Sequence, residues 1–176
     1  MVRVLKVVGY FSFFLLALMY FMPKVSSYYY LEQELEKYKV VLSDEEVIDN
    51  GFSLQLNHVE VSFDSIESAS IQSANVKLFI AYNSIHIQNI TLESIVSSFF
   101  PLHIKDAKIS YSIFEPLKVI AKANGDFGSA SAEIYFLDKN ISAIIRPSKL
   151  MSQKYKRTLS MMKKQANGEY VYDKTF

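Results

Sequence analysis

Between Leu54 and Ile145 apolar residues recur at every second position, segment after segment, and a chain with that period has little choice but to build an antiparallel sheet. Leu54 and Leu56 alternate with polar neighbours. Val59, Val61 and Phe63 do so in the opposite phase, so a kink or bulge is expected near Asn57 and His58. The pattern returns at Val76, Leu78 and Ile80, at Ile85 and Ile87, over 104–113 and 117–123, at Ala130, Ala132, Ile134 and Phe136, and over 141–145. That makes about eight or nine strands in sequence. Tyr82-Asn83-Ser84, Gly125-Asp126-Phe127-Gly128 and Asp138-Lys139-Asn140 are expected as hairpin turns, so neighbours in sequence should be neighbours in the sheet.

The opening of the chain obeys a different rule. After Arg3 and Lys6, the run from Val7 to Met22 carries no charge, and with Val4 and Leu5 it approaches the ~20 residues that cross a ~30 Å hydrocarbon core. Val7, Phe11, Phe14, Leu15, Leu18 and Phe21 are the expected membrane-facing residues. Arg3, Lys6 and the α-amino group outweigh Lys24, which places the N-terminus in the cytoplasm and everything after Pro23 on the other side, the periplasm in a bacterium. A cleaved secretory signal ending near Val25-Ser26-Ser27 is the competing reading. The apolar run exceeds the usual 7 to 15 residues of a signal core, and its aromatic residues suit a permanent span.

Three regions follow: 1–24 as cytoplasmic start and transmembrane anchor, 25–50 as juxtamembrane helix and linker, and 51–176 as an exported β-rich domain. Within the second, Leu31, Leu35, Tyr38 and Val41 or Leu42 predict a helix over 28–42. The remainder is long enough for one core. The expected fold class is mainly β: an N-terminal transmembrane helix, then a curved antiparallel meander, then a C-terminal amphipathic helix.

Two interruptions are expected in the meander. LESIVSSFF (92–100), before Pro101 and after Thr91 as a candidate N-cap, predicts a short helix whose aromatic end plugs one end of the sheet. Residues 148–165, entered through Arg146-Pro147 and closed by Asn167-Gly168, predict the amphipathic helix. Met151, Tyr155, Leu159 and Met162 form its docking stripe. Lys149, Lys156, Arg157, Lys163 and Lys164 form a basic arc, facing anionic lipid headgroups, an acidic partner or plain solvent. Glu169 to Tyr172 alternates again and suits a final edge strand.

Chemistry-bearing motifs are sparse. The chain has no cysteine, which excludes disulfides, thiol nucleophiles and thiolate metal sites. His58, His86 and His103 lack ligand spacing, so no metal is expected. Asp44, Glu45 and Glu46 have the character of a solvated turn, and no G-x-S-x-G elbow occurs. No catalytic activity and no cofactor are expected. A net charge of +1 without a basic footprint argues against nucleic acid.

What remains is physical. Strands alternate branched apolar residues with Ser and Ala, as around Ser68, Ala69, Ser129, Ala130, Ser131 and Ala132, so one face is apolar and the other small and uncharged. Such a face closes into an ordinary core, curls on itself, packs on a partner or holds an apolar ligand. Val59, Val61, Phe63, Leu78, Ile80, Ile109, Ile134 and Phe136 are its candidate lining.

The anchor, Val41-Leu42-Ser43-Asp44-Glu45, the serine-rich meander, LKVIAKANGDFG (117–128), Ile145-Arg146-Pro147-Ser148 and Gly168-Glu169-Tyr170-Val171-Tyr172 together resemble the type II secretion system protein N family. The resemblance implies a single-pass inner-membrane protein with a curved periplasmic sheet, a non-enzymatic accessory of a machine that exports folded proteins, with envelope and secretion proteins as partners. That family is similar to AsmA-like envelope proteins, which implies a trough for lipid acyl chains, although this chain is short for one. The lipopolysaccharide transport protein C family shares the anchor-plus-sheet plan and ranks second, its jelly roll offering no place for a long basic helix. No functional residues carry over from either family.

Overall fold

The computed structural model describes residues 2–96 and 99–175. Helix α1 (Val2–Phe21) ends one residue before Met22, because Pro23 disfavours helical backbone in the residue before it. Pro23 then opens α2 (Lys24–Glu36). The expected helix over 28–42 is therefore shifted: it starts earlier, and Val41 and Leu42 belong to a strand.

Among the described residues the strands form one antiparallel sheet of eleven. In chain order they are β1 (Val40–Ser43), β2 (Glu46–Asp49), β3 (Leu54–Phe63), β4 (Ile66–Leu78), β5 (Tyr82–Leu92), β6 (His103–Ser112), β7 (Lys118–Gly125), β8 (Gly128–Tyr135), β9 (Asn140–Pro147), β10 (Lys163–Lys164) and β11 (Tyr170–Thr175). From β3 to β9 each strand pairs with the next, and β11 and β10 extend the β9 edge. At the other edge β1 runs along the 60–63 half of β3 and β2 along its 54–57 half. Residues expected to form a linker thus continue the sheet.

Turn chemistry sets the register. Asp64 and Ser65 both have positive φ, the backbone of a two-residue hairpin turn that matches strand twist. Gly125 and Gly128 pair across the β7–β8 turn, where Gly128 has φ +110° and a Cβ would lie 2.2 Å from the Arg146 carbonyl oxygen. Only glycine fits there. The β4–β5 turn is formed by Phe79, Ile80 and Ala81, so Tyr82-Asn83-Ser84 begins β5 rather than turning. Ile80 consequently leaves the strand face, as does Phe136, which follows the end of β8.

The helix expected over 92–100 is replaced. β5 runs through Leu92, with Thr91 paired to His103, and a single 3-10 turn (Ser94–Val96) follows; Ser97 and Ser98 lie outside the described residues. Phe100 does pack at that end, its ring 4.9 Å from Phe127. The helix expected over 148–165 divides into α3 (Lys149–Lys154) and α4 (Lys156–Ser160), broken at Tyr155 (φ −114°, ψ 36°). Lys163 and Lys164 then pair with Val171 and Tyr170.

Cross-strand register explains the apolar face. Leu54, Val76, Ile85, Ile109, Ala121, Ala132, Ala143 and Tyr172 stand in one row, each paired with the next. Leu56, Ala74, Ile87, Ala107, Ala123, Ala130, Ile145 and Tyr170 form the next row by the same pairings. The expected change of phase in β3 is present, with His58 at φ 57°, and it is shared: Asn89 of β5 also has positive φ. Asn57 with His58 and Gln88 with Asn89 both turn away from the apolar face, flanking Gln72 and Ser73 of β4. A polar crease results, where Asn89 Nδ2 donates to Gln72 Oε1 at 2.5 Å.

Among the described residues two buried clusters cover parts of the apolar face. Under α2, Tyr28 packs on Leu54, Leu56, Val59 and Ala74. Under α3 and α4, Met151 and Leu159 pack on Phe127, Ala123 and Ala130, whose small side chains let the helices approach. Ser148 caps α3, its Oγ accepting from the Met151 amide.

Candidate functional site

Between the two clusters the apolar face is left open, and there a cavity of ≈ 310 Å³ forms against α2. Tyr28 and Leu31 of α2 form one wall. Leu54, Val76, Leu78, Ile85, Ile109, Tyr111 and Val119 from five consecutive meander strands form the other. Each wall residue lies in the row of the central pairings or the row beside it, nearer the turn that joins β4 to β5.

At the mouth, Lys24 is buried, its Nζ donating to the carbonyl oxygens of Tyr20 and Met22 at 3.2 Å each, with Asp49 Oδ1 at 3.8 Å. The ammonium satisfies the Tyr20 carbonyl in the last turn of α1, joins the Lys24 amide at the Met22 carbonyl, and sits at the negative end of the helix dipole. The Tyr20 and Phe52 rings meet edge to face at 5.4 Å. Gly51, at φ +77°, turns tightly under the Tyr20 ring. The cavity is therefore built next to the junction of α1 with the sheet.

The Tyr28 hydroxyl is buried, with the Glu45 carboxylate nearby and no partner of ordinary hydrogen-bond geometry among the described residues. Burial first, then the nearby Glu45 carboxylate, push it above the usual tyrosine range, so it lines the cavity as a neutral phenol. Glu60 Oε2, on β3, is also buried without a partner of ordinary hydrogen-bond geometry among the described residues. Burial first, then the negative charges of Glu67 and Asp44, raise the Glu60 carboxyl. With the native value above the unfolded one, stability falls as pH rises from the ordinary glutamate range through the raised native value. Glu60→Gln is accordingly expected to raise the unfolding midpoint at neutral pH and to leave it unchanged at acid pH, where the carboxyl is protonated in both states. Thermal unfolding of both proteins across that pH range checks the sign.

The candidate lining residues separate. Leu78 and Ile109 line the cavity. Val59 is buried in the cluster beneath α2, with Val61 packed against it. Ile134 is half-buried opposite Val119. Phe63 is exposed at the far end of β3, and Ile80 and Phe136 are exposed in turns, so these three are not part of the lining. Tyr28, Leu31, Leu54, Val76, Ile85, Tyr111 and Val119 were not among the candidates. The signal for the strand residues was the shared alternation combined with register, and for the helix residues the packing of α2 back onto the sheet.

Val7, Phe11, Phe14, Leu18 and Phe21 are exposed along α1 and Leu15 is half-exposed, on the one helix among the described residues long and apolar enough to cross a membrane. Lys149, Lys156, Arg157, Lys163 and Lys164 are all exposed but are distributed over α3, α4 and β10, so the single basic arc of one helix does not form. Among the described residues no group of three or more His, Asp or Glu side chains is placed to hold a metal ion. His58, His86 and His103 stand on three separate strands. Comparison with family models, curated proteins and solved structures finds no match to this chain.

Proposed function

We propose that this chain is a single-pass membrane protein, with its N-terminus in the cytoplasm and its sheet in the periplasm, that holds one acyl chain of a membrane lipid in the cavity beside α2. The observation that carries this reading is an apolar cavity placed at the end of the sheet joined to α1. Its ≈ 310 Å³ lies at the lower end of the ~300–1,000 Å³ range of ligand pockets. Against water, each buried methylene favours binding by about 0.8 kcal/mol. Against the bilayer interior the exchange is close to neutral, because lipid tails are as apolar as the cavity wall. Such a site suits taking up and handing on a lipid without a chemical step, and the reading assigns no enzyme activity.

The resemblance to a secretion-system family supports a second role as an accessory of an export machine, which in-cell crosslinking to envelope proteins tests. For the lipid reading, Ile109→Trp fills the cavity from its floor. The expected result is loss of lipid occupancy by roughly tenfold, the scale of about 1.4 kcal/mol, in native mass spectrometry of the detergent-released full chain. Equal occupancy in the variant and the parent contradicts the assignment.

A further inference from the structure

The turns joining β4 to β5, β6 to β7 and β8 to β9 lie side by side at one end of the sheet, as the pairs Leu78 with Asn83, Tyr82 with Ser112 and Lys118 with Tyr135 require. Hairpin turns normally carry Gly, Asn, Asp and Ser. These carry Ile80, Ile113, Phe114, Leu117, Phe136 and Leu137, all exposed, with Phe114 at 82% and Leu137 at 77%. Leu54 pairs with Val76, so the Gly51-Phe52 turn belongs to the same end. There Phe52 meets Tyr20, and Lys24 holds the Tyr20 and Met22 carbonyls.

This geometry fixes a level. A helix of 20 residues just spans a ~30 Å hydrocarbon core, which puts its last turn, with Tyr20 and Phe21, in the interfacial layer. The apolar tips stand at the same end of the sheet as Phe52 and form a row extending away from α1. We propose that the three hairpin tips insert into the outer surface of the bilayer that α1 spans, as a second membrane contact. The tips then hold the sheet upright, with the mouth of the cavity against the lipid surface. The inference rests on α1 as the anchor, not on what fills the cavity. Glu115, Lys118, Asp138 and Lys139 around the tips balance in sign, so insertion depends on apolar area and is insensitive to salt.

The far end also exposes apolar side chains, among them Tyr38, Phe63 and Phe99. β3 alone, at ~3.3 Å per residue, separates the two ends by about 30 Å. That end therefore serves as the internal control.

With no cysteine in the chain, single labels are available without background. Phe114→Cys, Leu137→Cys and Ser65→Cys full-length variants, carrying an environment-sensitive nitrobenzoxadiazole probe, are reconstituted in phosphatidylethanolamine–phosphatidylglycerol vesicles. The expected result is blue-shifted emission at 114 and 137 and quenching by nitroxide lipids about twofold or more above that at 65, unchanged by salt. Water-like emission at 114 and 137 overturns the proposal, and so does equal quenching at all three positions, which describes a sheet lying flat. Lipid occupancy of the same variants is read by mass spectrometry. Retained occupancy with water-exposed tips rejects the tip contact while leaving the lipid site standing.

Discussion

Replacement of Phe127 by alanine is expected to destabilise the protein by about 3–5 kcal/mol, the range for truncating a fully buried phenylalanine. Phe127 is 1% exposed although it sits in a two-residue hairpin turn, because the turn folds its side chain inward beneath Met151 and Leu159. The Phe100 ring contacts it from the 99–102 segment. Removing the ring leaves a void that joins three separate segments, so none collapses into it alone. Against a total stability of ~5–15 kcal/mol, the loss removes a large fraction. Phe114→Ala is the matched control, also in a hairpin turn but 82% exposed, and is expected to change stability by no more than about 0.5 kcal/mol. Guanidinium unfolding of the full chain in detergent, followed by near-ultraviolet dichroism, separates the two.

Lys24→Glu is expected to cost about 3–5 kcal/mol, the effect of leaving a buried charge uncompensated. The carboxylate stands where the ammonium donated to the Tyr20 and Met22 carbonyls and faces Asp49, whose Oδ1 already accepts from the Gly51 amide at 2.8 Å. Both the negative end of the α1 dipole and Asp49 repel it. The expected readout is a melting temperature lower by roughly 10 °C together with protease cleavage at the α1–α2 junction. Lys24→Arg, which keeps the charge and the donors, is expected to lose far less.

The meander was legible because period two is a strong signal wherever one face is buried. Even the phase change at Asn57 and His58 is written in the order of apolar residues. Its extension across β4 and β5 was not, because seeing it requires the pairing register. Residues 92–100 misled for a different reason: a short apolar stretch before proline suits a helix or a strand end equally, and pairing of Thr91 with His103 decides it. The break at Tyr155 has no mark in the sequence, and Met151 and Leu159 keep the expected contacts with the sheet, each from its own short helix. The burial of Phe127 has no mark in the sequence beyond its place in a glycine turn, since turn residues carry no period. Of the cavity, Leu78 and Ile109 were foreseeable from alternation, whereas Lys24, Tyr28 and Leu31 line it only because α2 folds back along β3.

An acyl chain that lies against one face of the sheet and not the other leaves a signature readable in intact membranes. A photoreactive benzoylphenylalanine placed at Ile109, Tyr111 or Val119 faces the cavity, whereas at Lys108, His86 or Lys122 it faces away. Irradiation of cells expressing each full-length variant, then mass spectrometry of the purified protein, is predicted to yield phospholipid adducts at the first three positions and none at the other three. Adducts on both faces alike, or at none of the six positions, contradict it.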